Sequence, residues 1–154
     1  MNKIESFKKL PYRNNVGAMV FKGNKYLLIQ YHGGIWKMPQ GGVHDGETRK
    51  EALMRELKEE LGTDKFKIIK RFLNKHQYDW DEEIVRQNGF KWRGQKQMFF
   101  LVEFFGKDGD IKLDTNELRD YCWATERELF KKIDRKSIFL KGYKKLVEKL
   151  LKSK

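Results

Sequence analysis

WKMPQGGVHDGETRKEALMRELKEELGTD, residues 36–64, leads from a proline and a pair of glycines into a segment that gathers Glu56, Glu59 and Glu60 within five positions. Thr48 followed three residues later by Glu51 fits a capping box, where a hydroxyl and a carboxylate each satisfy an orphan amide at a helix start. Gly62 suits the left-handed residue that closes a helix, so the spacing predicts a helix over 49–61. At about 100° per residue, the three glutamates fall within an arc of about 100°, and Leu53, Met54, Leu57 and Leu61 fill the adjoining arc. One stripe packs and the other presents carboxylates. Such neighbours repel by a few tenths of a kcal/mol per exposed pair, and by more when partly buried. Hard divalent cations such as Mg²⁺ take oxygen ligands and bridge protein carboxylates to substrate phosphates, which answers the need for compensation. A solvated helix whose glutamates pair with Lys50, Arg55 and Lys58 would answer it too, and the flanking residues decide between the two.

Gly41, Glu47, Arg55, Glu56, Leu57, Glu59, Glu60 and Gly62 stand at the fixed spacing that resembles the Nudix box, with Thr63 replacing the usual final aliphatic residue. The resemblance implies an α/β (α+β) fold: a Nudix-type α/β/α sandwich with a mixed β-sheet and a loop-helix-loop catalytic motif. It implies Mg²⁺ or Mn²⁺ held by Glu56, Glu59 and Glu60, with the Gly41 carbonyl as a further ligand and an Arg55–Glu47 salt bridge bracing the loop. Hydrolysis of nucleoside diphosphates linked to another group is the implied activity. The bound metal would polarise phosphoryl oxygens and lower the pKa of a water, without a covalent nucleophile.

Beyond the box, PYRNNVGAMVF (11–21), GGIWKMPQGGV (33–43) and RGQKQMFFLVEF (93–104) resemble the bacterial RNA pyrophosphohydrolases and the related asymmetric dinucleoside polyphosphate hydrolases. Asn14 and Lys37 depart from that pattern, which usually has Pro and Gln. By the same resemblance Glu117, in NELRDYCW, corresponds to a fourth metal-linked or base-like glutamate, and the general base is Glu56 or Glu117. Arg13, Lys37 and Lys96 are candidate phosphate contacts, each able to form charge-assisted hydrogen bonds. Phe139 and Lys141 would correspond to a base-holding pair near the start of the last helix.

The remaining sequence sets bounds. At 154 residues the chain has room for one domain, 1–154, and neither repeat nor linker divides it. Cys122 has no internal disulfide partner, and MNKIESFKKL places charges where a signal peptide needs an apolar stretch, so a cytoplasmic, non-membrane protein is expected. A net charge of +12 favours polyanionic partners. The expected substrate is an RNA 5′ end, then a diadenosine polyphosphate, with a non-catalytic RNA-binding protein as a third reading. VGAMVF (16–21) and KYLLIQY (25–31) predict a hairpin, KFKIIKRF (65–72) and QMFFLVEFF (97–105) predict further strands, and 74–94 reads as a long functional connection. Phe139, Tyr143, Leu146, Val147, Leu150 and Leu151 recur at helical spacing and predict a C-terminal helix with one buried face.

Overall fold

The computed structural model describes residues 3–133 and 142–154. A short α1 (Lys3–Phe7) precedes β1 (Tyr12–Lys22), β2 (Lys25–Tyr31), β3 (Trp36–Lys37) and β4 (Gln40–Gly42). Helix α2 (Arg49–Leu61) leads to β5 (Phe66–Asp79), α3 (Glu82–Gln87) and β6 (Gly94–Phe104). After one turn of tighter helix at Asp108–Asp110 come β7 (Leu118–Ala124), α4 (Glu126–Ile133) and α5 (Tyr143–Ser153).

The β1–β2 hairpin forms where the alternating apolar residues predict it, but only Phe21↔Tyr26 and Lys22↔Lys25 pair before the strands part. From there β2 pairs with β3 and β7, while the first half of β1 takes β4 antiparallel on one side and β6 parallel on the other. β5 closes the sheet against β6, giving the order β3-β2-β1-β6-β5. The parting of β1 from β2 lets β4 lie against Val16 and Asn15, and so sets Gly41 and Gly42 opposite α2.

Strand periodicity sorts side chains into two layers. Val16, Ala18, Val20, Leu27, Ile29, Phe100 and Val102 pack under Leu53, Leu57 and Leu61 of α2. Met19, Leu28, Phe99 and Leu101 face the other way, onto Leu129 of α4 and Tyr143, Leu146 and Leu150 of α5. A mixed sheet between helices results. The C-terminal helix buries Tyr143, Leu146, Val147 and Leu150 as its spacing predicts; Phe139 lies outside the described residues.

The long connection predicted for 74–94 is not one. β5 continues to Asp79, pairing Lys75–Asp79 with Gly94–Met98 beyond an irregularity between Arg71 and Lys75, and α3 supplies a short helix that buries Val85. The strand signal is weak because β5 is an edge strand that leaves Lys70, Arg71, Leu73 and Lys75 exposed, so its polarity follows solvent rather than a core. β7 and α4 also form where the sequence reading assigned no elements.

Leu57 is fully buried at the centre of the α2 layer. Leu57→Ala should lower unfolding free energy by about 2–5 kcal/mol, as for other buried Leu→Ala changes, measured by urea titration.

Candidate metal and phosphate site

Helix α2 has the predicted ends. Thr48 accepts the Glu51 amide through its hydroxyl at 3.1 Å, but the capping box is only half made, because Glu51 Oε1 accepts the Thr48 hydroxyl at 3.1 Å rather than an amide; Gly62 closes the helix at φ 69° with its amide on the Lys58 carbonyl at 2.9 Å. Thr63, the departure from the motif, is buried and its hydroxyl accepts the Lys65 amide at 3.2 Å, so a polar residue is satisfied at a packing position.

Arg55 organises the loop before the helix. A guanidinium carries five N–H donors in a fixed plane, and here five acceptors meet them. Nε and Nη2 donate to the two Glu47 carboxylate oxygens at 2.8 Å each, and Nη2 also donates to the Gly42 carbonyl at 2.8 Å. Nη1 donates to Glu56 Oε1 at 2.8 Å and to Glu59 Oε2 at 3.3 Å. Glu47 additionally accepts the His44 amide at 2.8 Å, and the Arg55 hydrogen bonds, with that amide, pull its carboxyl down to about 2. The Arg55–Glu47 brace that the motif implies is therefore present, extended to β4 and to two of the three glutamates.

β4 is held from its other face. Buried Gln97 donates through Nε2 to Asn15 Oδ1 at 2.9 Å and to Gln40 Oε1 at 2.7 Å, joining β6, β1 and β4. The Met38 amide donates to the Tyr143 hydroxyl at 2.8 Å, anchoring the approach to β4 on α5. Gly41 is then pressed against α2 so closely that a Cβ there would lie 2.0 Å from the Glu56 carboxylate carbon. Gly42 is equally confined, since a Cβ would lie 2.2 Å from Arg13 Nη2. Neither Tyr31 nor the Gln97 network was found from sequence, since Gln97 follows Gln95 and Lys96 at the polar start of β6 and nothing there sets it apart.

The three glutamates differ in environment. Glu59 is exposed, Glu56 is half-buried, and Glu60 is only 3% exposed because it sits at the border of the apolar stripe. Glu60 Oε1 accepts the Tyr31 hydroxyl at 3.3 Å, whereas Oε2 is buried without a hydrogen-bond partner. Burial, then the neighbouring Glu56 charge, pushes the Glu60 carboxyl up to about 8; burial also raises Glu56. Exposed Glu117, at the entry to β7, adds its charge to both. Among the described residues no three acidic, His or Cys side chains are already gathered as a closed metal cage. The donor chemistry nonetheless fits a hard cation: an orphaned buried carboxylate oxygen, further carboxylates on the same helix face, and a glycine backbone pressed against them.

Of the phosphate candidates, Arg13 lies 5.3 Å from the Trp92 ring, which Lys91 approaches from 5.5 Å, so this aromatic carries two cations. Alternation along β6 puts Lys96 on the α2 face with Met98 and Phe100, whereas Arg13 shares the opposite face with Asn15. The two are not brought together on one face. Lys37 lies half-buried with its Nζ 4.4 Å from the Tyr31 ring. Phe139 and Lys141 lie outside the described residues.

The NUDIX domain family matches residues 11–145, and the chain belongs to that family. It is 39% identical to the RNA pyrophosphohydrolase of Gluconacetobacter diazotrophicus over 70% of this chain and 72% of the relative. With the RNA pyrophosphohydrolase of Rickettsia conorii it shares 35% identity over 98% of this chain and 94% of the relative. A crystal structure of a C. elegans Ap4A hydrolase binary complex superposes with a TM-score of 0.61 at 19% identity, covering 89% of this chain and 97% of that one, a likeness of fold.

A carboxyl raised in the folded state binds a proton that the unfolded chain releases, so the Glu60 contribution is fully present below about pH 4.5 and is lost as pH rises through about 8. The melting temperature in EDTA should therefore fall between pH 5 and 8 by several degrees, at roughly 2–4 °C per kcal/mol. Glu60→Gln should flatten that slope, and Mg²⁺ should raise the melting temperature more at pH 8 than at pH 5, both read by calorimetry.

Proposed function

We propose that this chain is a divalent-metal-dependent hydrolase of phosphoanhydride bonds that removes pyrophosphate or phosphate from the 5′-triphosphate or diphosphate end of RNA. The observation that carries the reading is the orphaned, buried Glu60 oxygen in the field of Glu56, whose carboxylate Gly41 abuts, a costly arrangement that a cation at this helix face would relieve. The RNA pyrophosphohydrolase relatives supply the substrate class, and the net charge of +12 suits a polyanion longer than a mononucleotide.

Glu56, Glu59, Glu60 and the Gly41 carbonyl would hold Mg²⁺ or Mn²⁺, with Glu117 at the edge of the group. Bound there, the metal supplies Lewis acidity toward phosphoryl oxygens and an acidified water. Arg55 keeps the glutamates apart and oriented, since its donors fix Glu56 and Glu59 to Glu47 and the β4 backbone. Lys37 and Lys96, on the α2 face, offer charge to the substrate phosphates, while Arg13, on the opposite face, and Trp92 beside it offer a cation and a ring to a part of the substrate farther along. Proton acceptance from the attacking water falls to Glu117, exposed at the site's edge, or to Glu56, one of whose oxygens Arg55 already holds.

Purified protein given Mg²⁺ should release pyrophosphate or phosphate from 5′-triphosphorylated and 5′-diphosphorylated RNA faster than it cleaves diadenosine tetraphosphate at equal concentration, and EDTA should abolish release. Faster cleavage of the dinucleotide would reverse the substrate assignment, and no metal-dependent release from any of the three would support the non-catalytic RNA-binding alternative. Glu56→Gln should lower turnover by at least about 10²-fold, the lower range for losing a positioned acid or base. Metal titration of Glu56→Gln and Glu117→Gln then separates roles: lost affinity marks a ligand, while lost turnover at retained affinity marks the proton acceptor.

A further inference from the structure

Lys37 is placed by its neighbours. Trp36 and Met38 are both buried in the α4 and α5 layer, so alternation through β3 turns Lys37 to the opposite face, where α2 carries its glutamates. Its partner across the sheet is Ile29, two residues before Tyr31, and its Nζ lies 4.4 Å from the Tyr31 ring centroid. The hydroxyl of that same Tyr31 donates to Glu60 Oε1. Ammonium, aromatic ring and buried carboxylate thus form one stack. Among the described residues Lys37 has no direct ion pair; burial pulls its ammonium below the usual lysine range, and the Glu60 charge pulls it partly back.

Glu60 in turn feels two negative neighbours, Glu56 and Glu117, against the one positive charge of Lys37. We propose that Lys37 is a built-in counter-cation of the glutamate cluster that weakens the divalent ion bound there. The inference rests on the metal site proposed above. Its sign follows from charge: the ammonium faces the carboxylates with or without metal, whereas its repulsion of a divalent ion exists only once the ion is bound, so removing it gives tighter metal binding. A lysine serving only as a contact for substrate phosphate would make no such difference before substrate arrives.

The test uses the purified full chain without substrate, at fixed ionic strength and pH, titrated with Mg²⁺ and Mn²⁺ by calorimetry. Lys37→Gln and Lys37→Met should both bind metal more tightly, on the order of tenfold. Lys37→Arg, which keeps the charge, should bind metal as wild type does. Unchanged or weaker metal binding in both Lys37→Gln and Lys37→Met would overturn the proposal while leaving the metal site standing. Wild-type protein that takes up neither ion would instead overturn the metal site, and this inference with it. Because Lys37→Met keeps the apolar stem against Tyr31 and Lys37→Arg keeps the charge, a packing defect in one variant does not stand in for the electrostatic effect.

Discussion

The site depends on one saturated guanidinium. Arg55 spends its five N–H donors on Glu47, Gly42, Glu56 and Glu59, tying the loop that precedes α2, the β4 backbone and the carboxylate face of the helix into one unit. No other side chain can make that set of contacts, because a lysine has three donors on a single point and lacks the planar fork. Everything else about the site follows from keeping β4 close to α2. The Gln97 network fixes β4 from β6, Tyr143 fixes its approach from α5, and the remaining gap is narrow enough that position 41 must lack a side chain.

A helix this acidic is stable because its charges are unequal in exposure. Glu59 faces solvent, where repulsion is weak; Glu56 is neutralised in part by Arg55; Glu60 enters the apolar layer with one oxygen unpartnered. The cost is concentrated in Glu60, and a group held at that cost in a protein of marginal stability is one whose partner arrives from outside the chain. Tyr31 and Lys37 moderate the cost from the neighbouring strands without removing it.

Much of this was legible in the sequence where local chemistry is decisive. The ends of α2 follow from Thr48 and Gly62, and the Arg55–Glu47 brace is the one that resemblance to the Nudix box implies. The second half of β5 was not legible, because an exposed edge strand alternates polar with polar and leaves no periodic signal. β7 escaped notice because Arg119 and Asp120 are exposed and Tyr121, Cys122 and Trp123 are only partly buried, which leaves Leu118 and Ala124 at its two ends as the buried positions. That Arg13 and Lys96, separate candidates for phosphate, lie on opposite faces was not legible either, since it depends on the register by which adjacent parallel strands send residues 13 and 96 to different sides. Nor could sequence show that the Tyr31 hydroxyl reaches Glu60 or that Lys37 lies over the Tyr31 ring, relations made by two strands and a helix coming together.

Whether a divalent ion seats on Glu60, Glu56 and the Gly41 backbone can be read from anomalous scattering by crystals soaked in Mn²⁺. The expected result is a peak bonded to the buried oxygen of Glu60 and to Glu56, with Arg55 still gripping Glu47. Manganese found only at surface carboxylates away from α2, with Glu60 unmoved and unliganded, would contradict the proposed site.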